Sequence, residues 1–314
     1  MAFKRASQKF TAAINTVTIG TGDKALAIGG ANAYPFYKFD AVAANPARVG
    51  VEILDTGLTN EPAGVCAFYE GCTTVAEMAA KACTMEGADF ICVRFESADP
   101  GAANTSVEEC VEVAKAVAAV VTKPLVIAGC KNSEKDTALF SAIAEALQGQ
   151  NVMFLSAKEE DYKTMSASIG LAYGHVIGAE SACDINLAKQ LNVLVSQMGV
   201  KNDKVVANLG TAAAGYGFEY VSSTMERVRA AALAQNDTML QTPVVTPVAG
   251  DAWGVKESIL AEADAPAGWG SAEERGVRME ITTATAVLAS GSDAVILKHP
   301  TSVSTIAKLV ASLA

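Results

Sequence analysis

The chain has 314 residues, of which 51% are hydrophobic and 18% charged, so it can bury a large core and extensive disorder is excluded. Its net charge of −10 argues against a broad basic face for nucleic acid. No apolar run approaches the roughly 20 residues that cross a bilayer, and residues 1–5 lack the apolar core of a signal peptide. We therefore expect a cytoplasmic protein that binds neither nucleic acid nor membranes.

The cysteines and histidines give no metal-site signal. Seven cysteines, an odd number, indicate free thiols in a cytoplasmic chain. None belongs to a Cys-x-x-Cys pair, and no spacing is typical of a zinc or iron–sulfur site. With only two histidines, His175 and His299, neither a Ser-His-Asp triad nor a metal hydrolase site is indicated.

Near the N-terminus, two short strand-like runs predict a β-hairpin. They cover residues 16–19 and 25–28 and flank Gly20-Thr21-Gly22, which is a turn signal. We assign residues 1–46 to an N-terminal extension that contains this hairpin. We expect the hairpin to plug the N-terminal end of the domain that follows.

Eight strand–helix units over residues 47–314 predict an α/β fold, a (β/α)8 TIM barrel. The strands are continuously apolar, as expected where both faces of a parallel sheet are covered. The predicted strands are 49–54, 90–95, 124–128, 152–155, 175–178, 204–207, 243–248 and 293–298. The predicted helices are 74–86, 106–121, 134–148, 158–172, 184–198, 222–234, 271–290 and 302–313. An open doubly wound sheet is the alternative, yet no Gly-x-Gly-x-x-Gly follows the first strand.

Helix-start signals support this register. Five segments fit the capping box, in which a hydroxyl and a carboxylate three residues later satisfy amides at the helix end. They begin at Thr74, Ser106, Ser156, Ser223 and Ser271. Asp184 is expected to cap the helix after the fifth strand, and Gly199 to end it.

Polar residues that follow the predicted strands are the candidates for a binding site, because barrel ligands bind at the C-terminal strand ends. They are Glu52, Asp55, Glu96, Asp99, Asn104, Lys131, Asn132, Glu180, Asp184, Asn186, Asp251, Trp253, Lys256 and His299. Some have a structural alternative. Asp184 is a good helix cap, and Asp99 and Asn104 are ordinary turn formers. His299 can be a structural histidine, as we expect for His175.

The loop 208–220 after the sixth strand is rich in glycine and aromatic residues. Gly215 and Gly217 allow a positive φ or a close approach of another molecule. Tyr216, beside Glu219, offers a flat contact surface with a polar tip. Because loops on rigid scaffolds often carry function, we predict that this loop meets a ligand or partner. The alternative is a structured connection whose aromatic side chains pack into the core.

Several short motifs occur in order between residues 24 and 300. They are Gly29-Gly30, Pro35-Phe36, Asn45-Pro46, Ser97-Ala98-Asp99-Pro100 with Ala103-Asn104, Asp184-Ile185-Asn186, Gly215-Tyr216-Gly217 with Glu219-Tyr220, Gly268-Trp269-Gly270 and His299-Pro300. In this order and spacing, the chain resembles the small (delta) subunit of the corrinoid/iron–sulfur protein of the anaerobic acetyl-CoA (Wood–Ljungdahl) pathway. Met279 and residues 63–73 depart from the family pattern.

The resemblance implies a barrel that pairs with a larger subunit, which alone carries a [4Fe–4S] cluster and has a corrinoid-binding domain. The corrinoid (cobalamin) would lie between that domain and the barrel, which caps it without catalysing a reaction. A separate methyltransferase would supply the methyl group of methyltetrahydrofolate, and acetyl-CoA synthase/CO dehydrogenase would receive it. The residues expected to approach the cofactor are Asp99, Asn104, Asp184, Asn186, Gly215, Tyr216, Gly217, Glu219 and His299. No catalytic residue and no metal ligand is expected in this chain.

Two enzymatic alternatives remain open. A catalytic pterin-dependent methyltransferase barrel would need Asp and Asn side chains that converge on a pterin ring. Its candidates are Asp99, Asn104, Asp184 and Asn186. An unrelated barrel enzyme such as an aldolase would need a desolvated lysine at a strand end, for which Lys298 is the only suitable residue.

Overall fold

The computed structural model describes residues 8–36 and 44–313. The other parts of the predicted extension, residues 1–7 and 37–43, lie outside these ranges, as does residue 314. Strands β1 (Thr16–Ile19) and β2 (Leu26–Gly29) form an antiparallel hairpin. The predicted hairpin is therefore confirmed, with a second strand that begins one residue later than expected.

Eight parallel strands form the barrel that the sequence predicts. They are β3 (Arg48–Leu54), β4 (Phe90–Arg94), β5 (Leu125–Ala128), β6 (Met153–Ala157), β7 (Val176–Glu180), β8 (Val205–Asn208), β9 (Val245–Pro247) and β10 (Ala294–Leu297). The strands pair in chain order from β3 to β8, and β10 lies between β3 and β9. A bridge between Ala207 and Val244 joins β8 to the start of β9, so the ring is closed by a single short contact.

Helices surround the strands. They are α1 (Ala63–Phe68), α2 (Val75–Ala82), α3 (Val107–Val120), α4 (Ser133–Ala146), α5 (Tyr162–Met165), α6 (Ile185–Gln197), α7 (Phe218–Ala234), α8 (Ala249–Gly254), α9 (Lys256–Ile259), α10 (Ala272–Ser290) and α11 (Pro300–Leu313). A π-helical segment, Ser166–Ala172, continues α5. The sequence does not predict α1, α8 and α9, because helices of four to six residues are too short to show a 3.6-residue period. In the described ranges, no helix combines the length and apolarity that a bilayer span requires.

Three of the predicted capping boxes are formed and two are wrong. The formed boxes begin at Thr74, Ser106 and Ser271. Ser156 lies inside β6, which continues to Ala157, so no helix begins there. Ser223 lies inside α7, whose N-cap is Gly217 in the left-handed conformation at φ +81°. A Ser-x-x-Glu pattern within a helix has no free amides to satisfy.

The hairpin packs against the inside of the barrel. Val17 and Ile28 are completely buried in a cluster with Phe90 and Met153, whose side chains belong to barrel strands. Burial of an aliphatic side chain of this size contributes about 1.5–3 kcal/mol relative to exposure. The hairpin is therefore part of the core.

Hydrogen bonds place the hairpin at the N-terminal end of the barrel, as predicted. Asn151, which precedes β6, donates from Nδ2 to the Thr18 carbonyl over 2.7 Å. Arg48, the first residue of β3, donates from Nε to the Ala27 carbonyl over 3.1 Å. Because both residues stand at strand starts, the hairpin covers this end, and the opposite end forms the mouth of the barrel.

Candidate functional site

A cavity of about 310 Å³ opens at the mouth, where β4 to β9 end. Its lining residues are Arg94, Ala128, Gly129, Lys131, Asp136, Leu155, Ser156, Lys158, Glu180, Ala182, Cys183, Asn208, Gly210, Thr211, Pro247, Gly250 and Asp251. This is the position at which (β/α)8 barrels bind ligands. The volume is at the lower end of the range for small-molecule sites.

A buried ion pair lies at one wall of this mouth cavity. Arg94 is the last residue of β4, and Glu52 lies in the neighbouring strand β3. Arg94 Nη2 and Nε are 2.8 and 2.9 Å from Glu52 Oε2, and the two side chains are 12% and 3% exposed. Because each charge is desolvated, each depends on the other for compensation. The pair therefore contributes little net charge to the cavity.

Asn208, the last residue of β8, connects neighbouring strand ends. Its Nδ2 donates to Ser156 Oγ over 2.9 Å and to Glu180 Oε2 over 3.3 Å. Its Oδ1 accepts from the Gly210 N–H over 3.1 Å, which holds the start of the following loop. The amide therefore fixes the Glu180 carboxylate at the cavity wall.

Asp251 supplies a second carboxylate to the cavity, from the start of α8 after β9. Burial raises the pKa of the Asp251 carboxyl above its ordinary value, while the charges of Lys131 and Arg94 act in the opposite direction. Within residues 8–36 and 44–313, no group donates a hydrogen bond to this carboxylate. Asp251 is thus a half-buried acceptor whose hydrogen-bonding capacity is unused in this part of the chain.

Two further carboxylates hold the loops that carry the cavity lysines. Asp136 accepts hydrogen bonds from the backbone N–H groups of Cys130 and Lys131 over 2.8 and 2.9 Å, which fixes Lys131 at φ +73°. Asp161 accepts from the Lys158 N–H over 2.7 Å. Burial raises the pKa of the Asp161 carboxyl to about 6. The backbone around both lysines is therefore anchored, although their ammonium groups remain free to reach a ligand.

None of the nine residues expected to approach the cofactor lines the cavity, and the first four of them, Asp99, Asn104, Asp184 and Asn186, lie in loops or at a helix start. Asp184 is confirmed as the N-cap of α6, since its Oδ1 accepts from the Asn186 and Leu187 N–H groups over 2.7 and 3.1 Å. Asn186 is exposed on the first turn of that helix. Asp99 shapes a turn by accepting from the Gly101 N–H over 2.8 Å.

Asn104, the fourth of these residues, is exposed and has a left-handed backbone at φ +50°. Its Oδ1 accepts from Lys135 Nζ over 3.1 Å, which links the loop after β4 to α4. These contacts explain the residue as a loop connector. Any contact of these four side chains with a cofactor stays a prediction.

The glycine-rich loop places its tyrosines at the surface. Tyr216 is 47% and Tyr220 is 69% exposed. Gly215 and Gly217 adopt φ +90° and +81°, which a glycine accepts without strain. The alternative that these tyrosines pack into the core is therefore wrong, and Glu219 between them is also exposed.

The loop after β9 extends this exposed surface. Tyr216 donates its hydroxyl hydrogen to Glu257 of α9. Ile259, in the same helix, is 67% exposed, and Trp269, in the segment that follows, is 41% exposed. Arg275 holds the segment by donating to the carbonyls of Glu257 and Gly270 over 2.6 and 2.5 Å. Three of these exposed side chains are aromatic, namely Tyr216, Tyr220 and Trp269. We call these three residues together with the aliphatic Ile259 the aromatic rim.

His299 lies under α10, beside the mouth, and does not line the cavity. Its Nδ1 accepts from the Thr301 N–H over 3.1 Å, so Nε2 carries the proton and donates to Glu273 over 3.0 Å. The imidazole ring stacks on the Trp253 ring with a centroid distance of 5.8 Å, and His299 is buried, with 5% exposure. These contacts hold α10 against the end of β10, and a role toward a cofactor stays a prediction.

His175 is structural, as predicted. It is completely buried; its Nδ1 accepts from the Val152 N–H over 3.0 Å and its Nε2 donates to the Ala144 carbonyl over 2.9 Å. Burial lowers the pKa of His175, which favours the neutral ring. Neither histidine reaches the mouth cavity.

Sequence reasoning found some cavity residues and missed others. Lys131, Glu180 and Asp251 were strand-end candidates, and all three line the cavity. Arg94 is not among the sequence candidates, which apart from Glu52 follow the predicted strands, because it is the last residue of a strand that is otherwise apolar. Asp136 was missed because it lies one turn into α4 and reaches back to the loop. Inspection of the last residue of each strand would have found Arg94.

Comparison with known sequences identifies the family. Residues 16–302 match the family described as CO dehydrogenase/acetyl-CoA synthase delta subunit. The chain belongs to this family. The resemblance drawn from the sequence motifs is thereby confirmed.

Named relatives in archaea agree with this assignment. The acetyl-CoA decarbonylase/synthase complex subunit delta 1 of Methanosarcina thermophila is 31% identical over 298 residues, which are 94% of this chain and 67% of the relative. The subunit delta of Archaeoglobus fulgidus is 30% identical over 299 residues, covering 94% of this chain and 65% of the relative. The chain thus spans about two thirds of the length of these relatives.

Solved structures with the same fold include dihydropteroate synthases. The 7,8-dihydropteroate synthase of Vibrio fischeri has a TM-score of 0.57 at 10% identity, over 94% of this delta-family chain and 97% of the enzyme. Dihydropteroate synthase of Xanthomonas albilineans with 4-aminobenzoic acid has a TM-score of 0.55 at 11% identity, over 95% and 98%. At such low identity the likeness shows the TIM-barrel fold alone.

Proposed function

We propose that this delta-family chain is the small subunit of a corrinoid/iron–sulfur methyl carrier and caps a corrinoid held with a larger subunit. The larger subunit alone would carry the [4Fe–4S] cluster. The pair would accept a methyl group from methyltetrahydrofolate through a separate methyltransferase and deliver it to acetyl-CoA synthase/CO dehydrogenase. The family match over residues 16–302 is the observation that carries this proposal.

The shape of the mouth is compatible with a cap. A corrin macrocycle with its side chains is far larger than a cavity of about 310 Å³, so the ring would lie over the mouth rather than inside it. The aromatic rim would then contact the ring edge or the neighbouring subunit, since its four members are 41–69% exposed. Exposed aromatic side chains of this kind are enriched in protein interfaces.

The cofactor would supply a strongly nucleophilic cobalt centre, and the residues of this chain would supply orientation and exclusion of water. The Glu52–Arg94 pair keeps the cavity wall rigid without adding net charge. In this arrangement, the chain needs no acid, base or nucleophile of its own.

A catalytic pterin-dependent methyltransferase is the principal alternative. The side chains expected to converge on a pterin, Asp99, Asn104, Asp184 and Asn186, lie outside the cavity lining and are explained by loop and capping contacts. This placement does not support the alternative in the form that the sequence suggested.

An aldolase-type reaction is also not supported. Lys298 Nζ lies 3.0 Å from Glu61 Oε2 and 5.4 Å from the centroid of the Trp253 ring. It does not line the mouth cavity. An ammonium held by a carboxylate is not the free amine that attacks a carbonyl group.

A methyl-transfer assay separates the cap from the catalyst. The isolated chain, mixed with methyltetrahydrofolate and free cob(I)alamin, is expected to give no methylcobalamin above the protein-free rate. The larger subunit with its cognate methyltransferase, with and without this chain, serves as the comparison. Formation of methylcobalamin by the isolated chain would contradict the proposed capping role and support a catalytic methyltransferase.

A further inference from the structure

The mouth cavity is electrically polarised. Lys131 and Lys158 follow β5 and β6, whereas Glu180 is the last residue of β7 and Asp251 follows β9. Arg94 is already paired with Glu52, and the Asp136 carboxylate, which also lines the cavity, is engaged by the backbone N–H groups of Cys130 and Lys131. The other four charged groups are therefore the ones that remain available to a ligand. The cavity therefore has a cationic side and an anionic side within one small volume.

Several polar groups of the cavity have no hydrogen-bond partner among the residues that the structure describes. Across residues 8–36 and 44–313, neither the Asp251 carboxylate nor the ammonium groups of Lys131 and Lys158 take part in a hydrogen bond. Thr211 Oγ1 is shielded from solvent and also has no partner in this part of the chain. Lys131 is exposed and Lys158 is half-buried, so water can serve their ammonium groups, whereas Asp251 is half-buried and Thr211 Oγ1 is buried. Because buried polar groups normally find partners, the unused Asp251 carboxylate and Thr211 hydroxyl at the cavity indicate a ligand that supplies their partners.

We propose that the mouth cavity binds an amide-type edge, in which N–H donors stand beside a carbonyl acceptor in one neutral group. The N–H groups would donate to Asp251 and Glu180, and the carbonyl would accept from Lys131 or Lys158. Thr211 Oγ1 can both donate and accept. This site deepens the proposed function, because it names the chemistry that the mouth recognises.

Other ligand classes fit the cavity less well. A phosphate or carboxylate would approach the lysines but would also meet the two carboxylates, whose repulsion in a partly desolvated site is costly. A cation would be attracted by the carboxylates but repelled by the ammonium groups of Lys131 and Lys158. A neutral group with a strong dipole satisfies both sides at once and leaves no charge unpaired.

Two sources offer this chemistry. A corrinoid that lies over the mouth would present primary amides from its peripheral side chains. A pterin would present the same donors and acceptor on its 2-amino-4-oxo edge, and Leu155 and Pro247 supply apolar lining for its ring. The first source rests on the proposed function, whereas the second is independent of it.

The test uses two probes and one pair of variants. We would titrate 6-methylpterin into the isolated chain, and dicyanocobinamide into the chain together with its larger subunit, by calorimetry. Asp251→Asn removes the charge but keeps the size of the side chain. It is expected to lower the affinity for the probe that the site recognises by about tenfold or more. The matched control is Glu145→Gln, which changes an exposed carboxylate near the end of α4, far from the mouth.

The outcomes distinguish the sources. A loss confined to 6-methylpterin assigns the site to a pterin, even if the chain does not cap a corrinoid. A loss confined to dicyanocobinamide assigns it to a corrin amide. Equal binding of both probes by wild type, Asp251→Asn and Glu145→Gln overturns the proposal, as does no binding of either probe. Lumazine, in which a carbonyl replaces the 2-amino group, should bind at least about tenfold more weakly than 6-methylpterin if the donor edge is recognised.

Discussion

The carboxylate of Glu52 accepts two contacts from the guanidinium of Arg94, at 2.8 and 2.9 Å, where β3 and β4 reach the mouth. Both side chains are almost fully buried. The pair joins the architecture to the site, because its partners come from the two adjacent strands and one of them lines the cavity.

Removal of both partners should therefore cost less than the sum of the two single removals, which are Glu52→Gln and Arg94→Gln. We expect Arg94→Gln to lower the free energy of unfolding by about 3–5 kcal/mol, since it leaves the Glu52 carboxylate buried and unpaired. The double variant Glu52→Gln/Arg94→Gln should lose clearly less than the sum of the two single losses. Denaturant titration of the four proteins measures this coupling, and strictly additive losses would mean that the pair does not act as a unit.

The Asp161 carboxyl predicts a specific pH dependence. Its pKa is about 6 in the folded chain and 3.8 ordinarily, so the folded state holds the proton more tightly than the unfolded state. Its contribution to stability is therefore full below about pH 4, falls as the pH rises to about 6, and is constant above that. Asp161→Asn keeps the acceptor for the Lys158 N–H without the charge.

The stability of Asp161→Asn relative to wild type should consequently rise by on the order of 2 kcal/mol between pH 4 and pH 7. Urea titrations at half-unit pH steps measure this difference. The control is Asp203→Asn, which removes an exposed carboxylate at a different place in the fold. A flat profile for Asp161→Asn, or the same profile for both variants, would show that burial of Asp161 is not the cause.

The aromatic rim should matter for assembly and not for folding. Since Tyr216 is 47% exposed, Tyr216→Ala should change the free energy of unfolding by less than about 0.5 kcal/mol. It should weaken association with the larger subunit by about 1 kcal/mol or more, as truncation of a buried interface aromatic does. The control is Leu171→Ala, at a side chain of 49% exposure just before β7, away from the mouth.

A different result at Tyr216 would be informative. A loss of several kcal/mol in the isolated chain is the cost of emptying a core aromatic site, and it would assign the loop a structural role. Equal effects of Tyr216→Ala and Leu171→Ala on association would remove the rim from the interface.

Asp184 should behave as a helix cap. Asp184→Ala is expected to lower the free energy of unfolding by about 1 kcal/mol, because the Asn186 and Leu187 N–H groups lose their acceptor. Asp184→Ser should retain most of this stability, since serine is an equally good cap. If Asp184→Ser keeps stability but loses corrinoid retention in the complex, the carboxylate also contacts the cofactor.

The fold was predictable from the sequence for a physical reason. Parallel strands covered on both faces read as apolar runs, and the hydroxyl–carboxylate pairs at Thr74, Ser106 and Ser271 mark helix starts that the backbone requires. The same hydroxyl–carboxylate pattern gives a wrong helix start at Ser156 and at Ser223, because Ser156 lies inside β6 and Ser223 lies inside α7. Local motifs do not report how far the neighbouring element continues.

The candidate site was predictable only in part. The sequence shows that Glu180 and Asp251 follow strands, but not that they converge on one cavity with Asn208. Convergence depends on the strand register and on which face each terminal side chain occupies. An aspartate between a strand and a helix, such as Asp184, is expected in the sequence both for a helix cap and for a ligand contact, so the sequence does not distinguish the two roles.

The central claim is that this chain supplies only one half of a corrinoid site. Calorimetric titration of cobalamin into the isolated chain, the isolated larger subunit and the reconstituted pair tests it most directly. Because the cofactor would be buried between two proteins, its retention is linked to their association, and the pair should bind at least about 100-fold more tightly than this chain alone. Equal, tight binding by this chain alone would contradict the account and make the barrel itself the cofactor carrier.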